Sequence, residues 1–415
     1  MREIFISNIK INKVRHLEDF QIELSDEGKR HLILTGKNGS GKTSLLDSMA
    51  TFLNSVTKSR SLVANLGLLK AYNTTLTHAI QENDSVRVRE LKDNISRCES
   101  EIDALTVGVM LQMNCPLDYL SLDFKEGNFI VAYYRADRIF KAQVPKHVEK
   151  VELKKDYAID EEPRNDFIKY LLDLKMTQAL AVANGKAEKA DRINRWFNSL
   201  DDLLRKIFED NSVKLDFDED TFKFQIIMDG REPFGFNTLS SGYAAVLDIV
   251  VDLIIRMEKQ TDKVFDFSIP GIVLIDEIET HLHLELQKKI LGLLTTIFPN
   301  IQFIVSTHSP FIINSLENAT IYDLEKRLLV KGGLSDIPYS GIVEGYFDSD
   351  SMSDILREKY DRYKELVHKA DLTDDDFEEI SSLELYLDEI PDYLALNLTT
   401  EYQRLKAYLR NRGDI

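Results

Sequence analysis

The sequence predicts an α/β protein built on a parallel sheet, with helical insertions and a C-terminal helical tail. Three observations predict it. Short, continuously apolar runs alternate with amphipathic helical stretches, the pattern of buried parallel strands joined by crossover helices. One of those runs, His31 to Thr35, ends at a glycine-rich loop that opens a helix. From about Ser351 onward the pattern is helical only.

Taken in order, Ile4, Ile6 and Ile9, then Phe20, Ile22 and Leu24, alternate as half-buried strands do. After the loop, Ser44 to Phe52 has helical spacing through Leu45, Leu46, Met49 and Phe52. Residues 56–110 read as a solvated helical hairpin in which seven basic side chains balance seven acidic ones. Leu117 to Phe124 and Phe129 to Tyr134, across a Lys-Glu-Gly-Asn turn, read as a β-hairpin. Two helices fill 163–209, broken at Ala183-Asn184-Gly185, and a second hairpin pairs Val213–Phe217 with Phe222–Met228. A helix follows Gly242, a buried strand spans Gly271–Ile275, a helix covers about Leu284 to Phe298, and a strand runs from Gln302 to Val305.

Composition narrows the classes. The 415 residues suffice for roughly two to three domains. Apolar residues make up 43% and charged residues 29%, an ordinary globular balance. No stretch reaches the roughly 18 apolar residues of a membrane span, and the N-terminus lacks the layout of a secretory signal. Two cysteines, Cys98 and Cys115, exclude a disulfide scaffold and fit a reducing cytoplasm. A net charge of −18 argues against a nucleic-acid-coating protein. Half of that imbalance is local, because residues 371–390 hold nine acidic and no basic side chains. The remainder is only mildly acidic, so a DNA groove stays open, and the acidic block points to the tail as a partner surface.

Four short segments carry chemistry. Gly36-Lys37-Asn38-Gly39-Ser40-Gly41-Lys42-Thr43 matches G-x-x-x-x-G-K-[ST] in full, between an apolar strand and a helix that continues with Ser44. Its glycines let successive N–H groups face phosphate oxygens at a helix N-terminus. Lys42 supplies a cation for the β and γ phosphates, and the Thr43 hydroxyl a ligand for Mg²⁺. The strand Ile272–Ile275 ends in Asp276 and Glu277, placed to hold the metal's hydration shell and to act as general base. Ser306-Thr307-His308-Ser309-Pro310 puts His308 past the next strand, where it can bond a γ-phosphate and the attacking water. Leu239-Ser240-Ser241-Gly242-Tyr243 places two hydroxyls and a glycine at another helix N-terminus.

These four elements, in this order, resemble the ATP-binding-cassette ATPases of the SMC/RecF group, with LSSGY similar to their LSGGQ signature and STHSP to their histidine switch. Asp276-Glu277-Ile278-Glu279-Thr280-His281-Leu282-His283 resembles the D-E-x-[DE]-x-H-L-H-P segment of stand-alone RecF/OLD-type "AAA" ATPases, with Leu284 where proline is usual. That group includes the ATPase subunits of phage-defence systems such as Septu, its retron-linked relatives and PARIS. The resemblance is tight over 1–50 and 237–325. It implies a P-loop NTPase cassette split into 1–55 with 115–140 and 211–330. Helical insertions would occupy 56–114 and 141–210, and a helical region 331–415. It further implies ATP and Mg²⁺ as cofactors and head-to-tail dimers. Each ATP would lie between Gly36–Ser44 of one copy and Ser240, Ser241 and Gly242 of the other. Catalysis would fall to Glu277 and His308, and the metal to Thr43 and Asp276. For the usual glutamine-bearing loop, Arg135 and Arg138 are the available substitutes.

The function expected is therefore a slow, regulatory ATPase subunit of a cytoplasmic anti-phage system that controls a separate nuclease or toxin, without membrane contact. The alternative is a RecF-like repair ATPase that binds DNA directly. His281, His283 and His308 lack the partners of a metal cluster. Val343-Glu344-Gly345-Tyr346-Phe347-Asp348 resembles the opening of a Toprim nuclease domain, but too little chain with strand character follows it.

Overall fold

The computed structural model describes residues 3–25, 27–138, 147–261, 265–334, 337, 341–342, 354–388 and 396–412. The chain divides into two compact units, Met1–Ile337 and Pro338–Ile415. The segment Val343–Asp348 lies outside the described residues.

In the first unit, β1 (Ile6–Val14), β2 (Leu17–Glu23) and β3 (His31–Thr35) precede α1 (Lys42–Val56). A helical hairpin, α2 (Ser61–Gln81) and α3 (Ser85–Thr106), leads to β4 (Val109–Met113), α4 (Leu117–Glu126) and β5 (Ile130–Tyr134). Next come α5 (Phe167–Ala183), α6 (Ala187–Phe208), β6 (Lys214–Asp218), β7 (Lys223–Ile227) and α7 (Ser241–Thr261). The unit closes with β8 (Gly271–Ile275), α8 (Leu284–Ile297), β9 (Ile301–Ser306), α9 (Pro310–Ile313), β10 (Ala319–Asp323) and β11 (Leu328–Lys331).

The central sheet runs β11-β10-β3-β9-β8-β5, all parallel except the edge strand β11. Every residue of β3, β8, β9 and β10 is buried, which explains their unbroken apolar character. Because β9 lies between β3 and β8, their C-terminal ends bring the glycine loop, the STHSP turn and the Asp276-Glu277 pair side by side. A second, antiparallel sheet runs β2-β1-β4. Buried Gln302 joins the sheets: its Oε1 accepts from the Ile6 N–H at 2.8 Å, and its Nε2 donates to Ile6 O at 3.0 Å.

Two expectations need correction. Leu117–Phe124 is a helix, not a strand, since only Leu120 and Phe124 of its alternating apolar residues are buried. Those two stand four residues apart on one helical face, while Leu122 is 49% exposed. Tyr134 consequently ends a parallel edge strand of the six-stranded sheet rather than a hairpin. Residues 109–113, placed in the helical insertion, instead pair with β1. Within the hairpin, Asp84 caps α3 by accepting from the Arg87 N–H at 3.1 Å, and the buried Cys98 thiol donates to Asn65 O at 3.2 Å.

Helix α7 is buried along most of its length and carries charge inside. Asp252 accepts from Tyr134 OH at 2.8 Å and pairs with Arg256 at 2.6 Å, while Asp248 pairs with Arg164 at 2.7 Å. Glu258 accepts from Tyr170 OH at 2.7 Å and from the Trp196 indole at 3.1 Å. Removing one partner from such a set leaves an uncompensated buried charge, at about 3–5 kcal/mol.

The second unit consists, in its described residues, of α10 (Asp354–His368), α11 (Asp374–Asp388) and α12 (Leu396–Arg410). Its core is Tyr360, Tyr363, Leu366, Val367, Ile380, Leu383, Leu387 and Tyr402. Much of the acidic block is spent inside this unit. Glu379 pairs with Arg362 at 2.8 Å, Asp376 with Lys369, and Asp388 with Lys406 at 2.6 Å, while Glu384 accepts from Tyr363 OH at 2.8 Å.

Candidate functional site

The glycine loop leaves β3 at Gly36, whose φ of 129° favours glycine. A Cβ there would stand 2.9 Å from Ser40 Oγ and 3.3 Å from the Glu325 N. Gly41, at φ 96°, begins α1, and a Cβ on it would meet Leu17 Cδ1 at 2.9 Å and His16 Cε1 at 3.4 Å. Lys37, Asn38 and Gly39 are exposed. Lys42 is 6% exposed and folds back over the loop, donating to Gly36 O at 2.8 Å and Lys37 O at 3.1 Å. Burial draws its ammonium below the usual lysine range, against the pull of Glu277, Asp276, Glu279 and Asp323. Lys37 meets Glu325 of the β10–β11 turn at 2.9 Å, an exposed pair of small energetic weight.

The carboxylates meet that loop through hydroxyls. Asp276, 3% exposed, accepts from Thr43 Oγ1 at 2.8 Å through one oxygen and from Ser306 Oγ at 2.5 Å through the other. Ser306 Oγ in turn accepts from the Glu277 N–H at 2.7 Å. Glu277 stands at φ 44°, and Thr280 Oγ1 donates to its Oε2 at 3.4 Å. His308 is half-buried, and its backbone N–H donates to Glu279 Oε1 at 2.6 Å. Burial and, next, the Lys42 cation hold its imidazole below the ordinary histidine range, so it is neutral at pH 7.

Arg138 lies over the same loop. Its guanidinium is 5% exposed and donates to Asp276 O at 2.9 Å, Ile278 O at 3.1 Å, Glu277 O at 3.3 Å and Arg135 O at 3.1 Å. Of the two arginines considered for the glutamine-bearing loop, Arg138 is thus committed to backbone carbonyls. Arg135 is solvated and pairs with Asp47 at 3.1 Å, one turn along α1 from Thr43.

The signature segment lies apart from this hydrogen-bonded set. Ser240 and Ser241 are exposed at the start of α7, and Ser240 O accepts from the Ala244 N–H at 2.9 Å. Gly242 is buried, and a Cβ on it would approach His281 O at 3.3 Å and Leu286 Cδ1 at 3.1 Å. His281 and His283 are exposed.

The residues present fit a magnesium nucleotide. The Thr43 hydroxyl and an Asp276 oxygen stand together as hard donors, and Lys42 rests on carbonyls that phosphate oxygens can replace. Ser40 Oγ and Glu279 Oε2 are buried with no hydrogen-bond partner among the described residues, orphan polar atoms on residues of the same loops. Among the described residues, no three His, Cys, Asp or Glu side chains are grouped to hold a metal. A cation bound here would be held by the Asp276 carboxylate and the Thr43 hydroxyl, beside substrate oxygens. The sequence singles out Arg138 only as a substitute for the glutamine-bearing loop and gives Ser306 no role of its own, because the groups they serve are a carboxylate and carbonyls distant along the chain.

Comparison with known proteins adds the following. The family described as "AAA ATPase domain" matches residues 5–109, and that described as "AAA domain, putative AbiEii toxin, Type IV TA system" matches residues 155–314. The Septu protein PtuA of Bacillus mycoides is 24% identical over 422 aligned positions, covering 97% of this chain and 53% of that protein. The "Retron Vc95 probable ATPase" of Vibrio cholerae is 26% identical, covering 72% and 70%. The "Retron Ec83 probable ATPase" of Escherichia coli is 32% identical over 147 residues, 33% of this chain and 26% of that one. The chain thus spans about half the length of its Septu relative. No helix among the described residues is long and apolar enough to cross a membrane.

Proposed function

We propose that this chain, which matches two AAA ATPase family models and is similar to a Septu protein and two retron probable ATPases, is a slow, regulatory ATPase of SMC/OLD type in a phage-defence system. In this reading it hydrolyses ATP between two copies of itself and so controls a separate nuclease or toxin. The observation that carries the reading is the hydrogen-bonded chain from Thr43 through Asp276 and Ser306 to the Glu277 backbone. It joins the phosphate loop to the carboxylate pair in one rigid unit.

The exposed backbone of Lys37–Gly39 and the N-terminus of α1 receive the phosphates. Lys42 exchanges its two carbonyl partners for phosphate oxygens, a step its burial makes inexpensive because a strong anion replaces weak acceptors. Thr43 and Asp276 hold Mg²⁺, which when bound neutralises charge on the phosphates. Glu277 accepts a proton from the attacking water. His308, neutral and adjacent, hydrogen-bonds the γ-phosphate end. The exposed hydroxyls of Ser240 and Ser241 cover that end in a second copy, so nucleotide becomes part of the interface and hydrolysis removes it.

Glu277→Gln is expected to retain ATP and accumulate as a dimer or larger assembly in size-exclusion chromatography, whereas Lys42→Ala binds ATP about 100-fold more weakly and does not assemble with itself. Normal hydrolysis by both variants would sink the site assignment. Co-purification of a neighbouring gene product with the Gln variant tests the effector.

A further inference from the structure

Glu277 is held in a backbone conformation that side-chain-bearing residues rarely adopt, at φ 44°. Such a residue persists only where its surroundings over-determine it. Here they do so on both sides. The Asp276 N–H donates to Tyr134 O at 2.8 Å, the Glu277 N–H to Ser306 Oγ at 2.7 Å, and the Ile278 N–H to Ser306 O at 3.1 Å. On the opposite side the carbonyls of Asp276, Glu277 and Ile278 all accept from one guanidinium, that of Arg138. A rigid planar fork of donors is pre-organised to span successive carbonyls, whereas a lysine ammonium is a compact point charge whose three donors rotate on a flexible stem. With 5% exposure, Arg138 has no freedom to leave for solvent.

We infer that Arg138 is a positioning residue for hydrolysis. By gathering the carbonyls of residues 276–278, it fixes the left-handed backbone that aims the Glu277 carboxylate. This rests on the ATPase reading above. It goes beyond that reading in giving catalysis a residue whose guanidinium is spent on the backbone carbonyls beneath the general base.

The test uses the full chain and the variants Arg138→Ala and Arg138→Lys, each also combined with Glu277→Gly. Turnover is measured beside affinity for a fluorescent ATP analogue. Arg138→Ala is expected to lower turnover about 100-fold, as a misplaced catalytic group does, while affinity stays within about threefold. Arg138→Lys should recover only a small part of the turnover, and it carries the test if the alanine variant does not fold. Melting temperature gives a reading independent of activity. Glycine takes a positive φ freely, so Arg138→Ala should lower Tm less than half as much in the Glu277→Gly background as in the parent. Parent-like turnover, a joint loss of turnover and affinity, or equal Tm losses in the two backgrounds would overturn the inference. A parent chain without ATPase activity would instead overturn the functional reading, and the Tm comparison would still decide the positioning role.

Discussion

At the phosphate loop Lys42, Thr43 and Asp276 already have partners within the chain. Lys42 rests on two carbonyls, Thr43 on Asp276, and Asp276 on Ser306. At the signature segment, a helix start with the same ingredients of hydroxyl and glycine, Ser240 and Ser241 stand in solvent. The local chemistry is alike and the wiring is opposite. The loop sits where three buried strands end together, whereas α7 presents its first turn outward and spends its buried charges further along. A helix start left open in this way fits the proposed role of meeting the nucleotide of a second copy.

The sharpest way to break this contrast is to disable each half alone. Lys42→Ala is expected to weaken ATP binding about 100-fold, the worth of a charge-assisted contact at the strong end of its range. Ser240→Arg should leave affinity within about threefold while abolishing turnover. An equimolar mixture of these two inactive variants should regain about a quarter of parental activity, since half of the dimers then hold one intact site. No recovery on mixing would place both halves in the service of one chain.

A second test separates the loop from the root of its own strand. His31, at the start of β3, accepts from the Phe303 N–H at 3.1 Å through Nδ1. Burial pushes it down to about 4. The native state therefore keeps it neutral while the unfolded chain takes up a proton below about pH 6.5. Stability from this residue is full above pH 6.5 and falls as the pH drops, by about 3 kcal/mol at pH 4. His31→Asn, which can keep an acceptor for Phe303, should flatten that acid limb in urea titrations at pH 7 and pH 4.5, and ATP affinity at pH 7.5 should not move.

The smallest expected effect is at the joint. Ser306→Ala removes the acceptor of the half-buried Glu277 N–H and one donor to Asp276. A loss of about 2 kcal/mol in stability, together with a fall in turnover larger than any fall in affinity, is the expected result. Unchanged turnover would mean that Ser306 supports the fold alone.

The sheet and the loop were legible because their signals are local. A five-residue apolar run, an eight-residue glycine pattern and a strand ending in two acids each carry their structural context with them. The strand assigned to Leu117–Phe124 failed because Leu120, Leu122 and Phe124 alternate by coincidence, and only burial shows that Leu122 faces water. Arg138 was legible as an arginine near the site but not as a clamp. Its partners are carbonyls, which every residue possesses, and they lie 138–140 positions away along the chain. The acidic block shows the same limit from the other direction. A run of carboxylates reads as surface charge, yet Asp376, Glu379, Glu384 and Asp388 are bound by side chains of neighbouring segments in their own helical unit.

The two thiols supply a clock. Cys98 holds the α2–α3 hairpin face at 5% exposure, and Cys115 lies at 7% just ahead of α4. A thiol reacts only when a reagent reaches its sulfur, so alkylation of the native chain waits on local opening. Mass spectrometry resolves the two sites by peptide. The ratio of their modification rates then times the breathing of the inserted hairpin against that of the adjoining sheet, with no probe added to the chain.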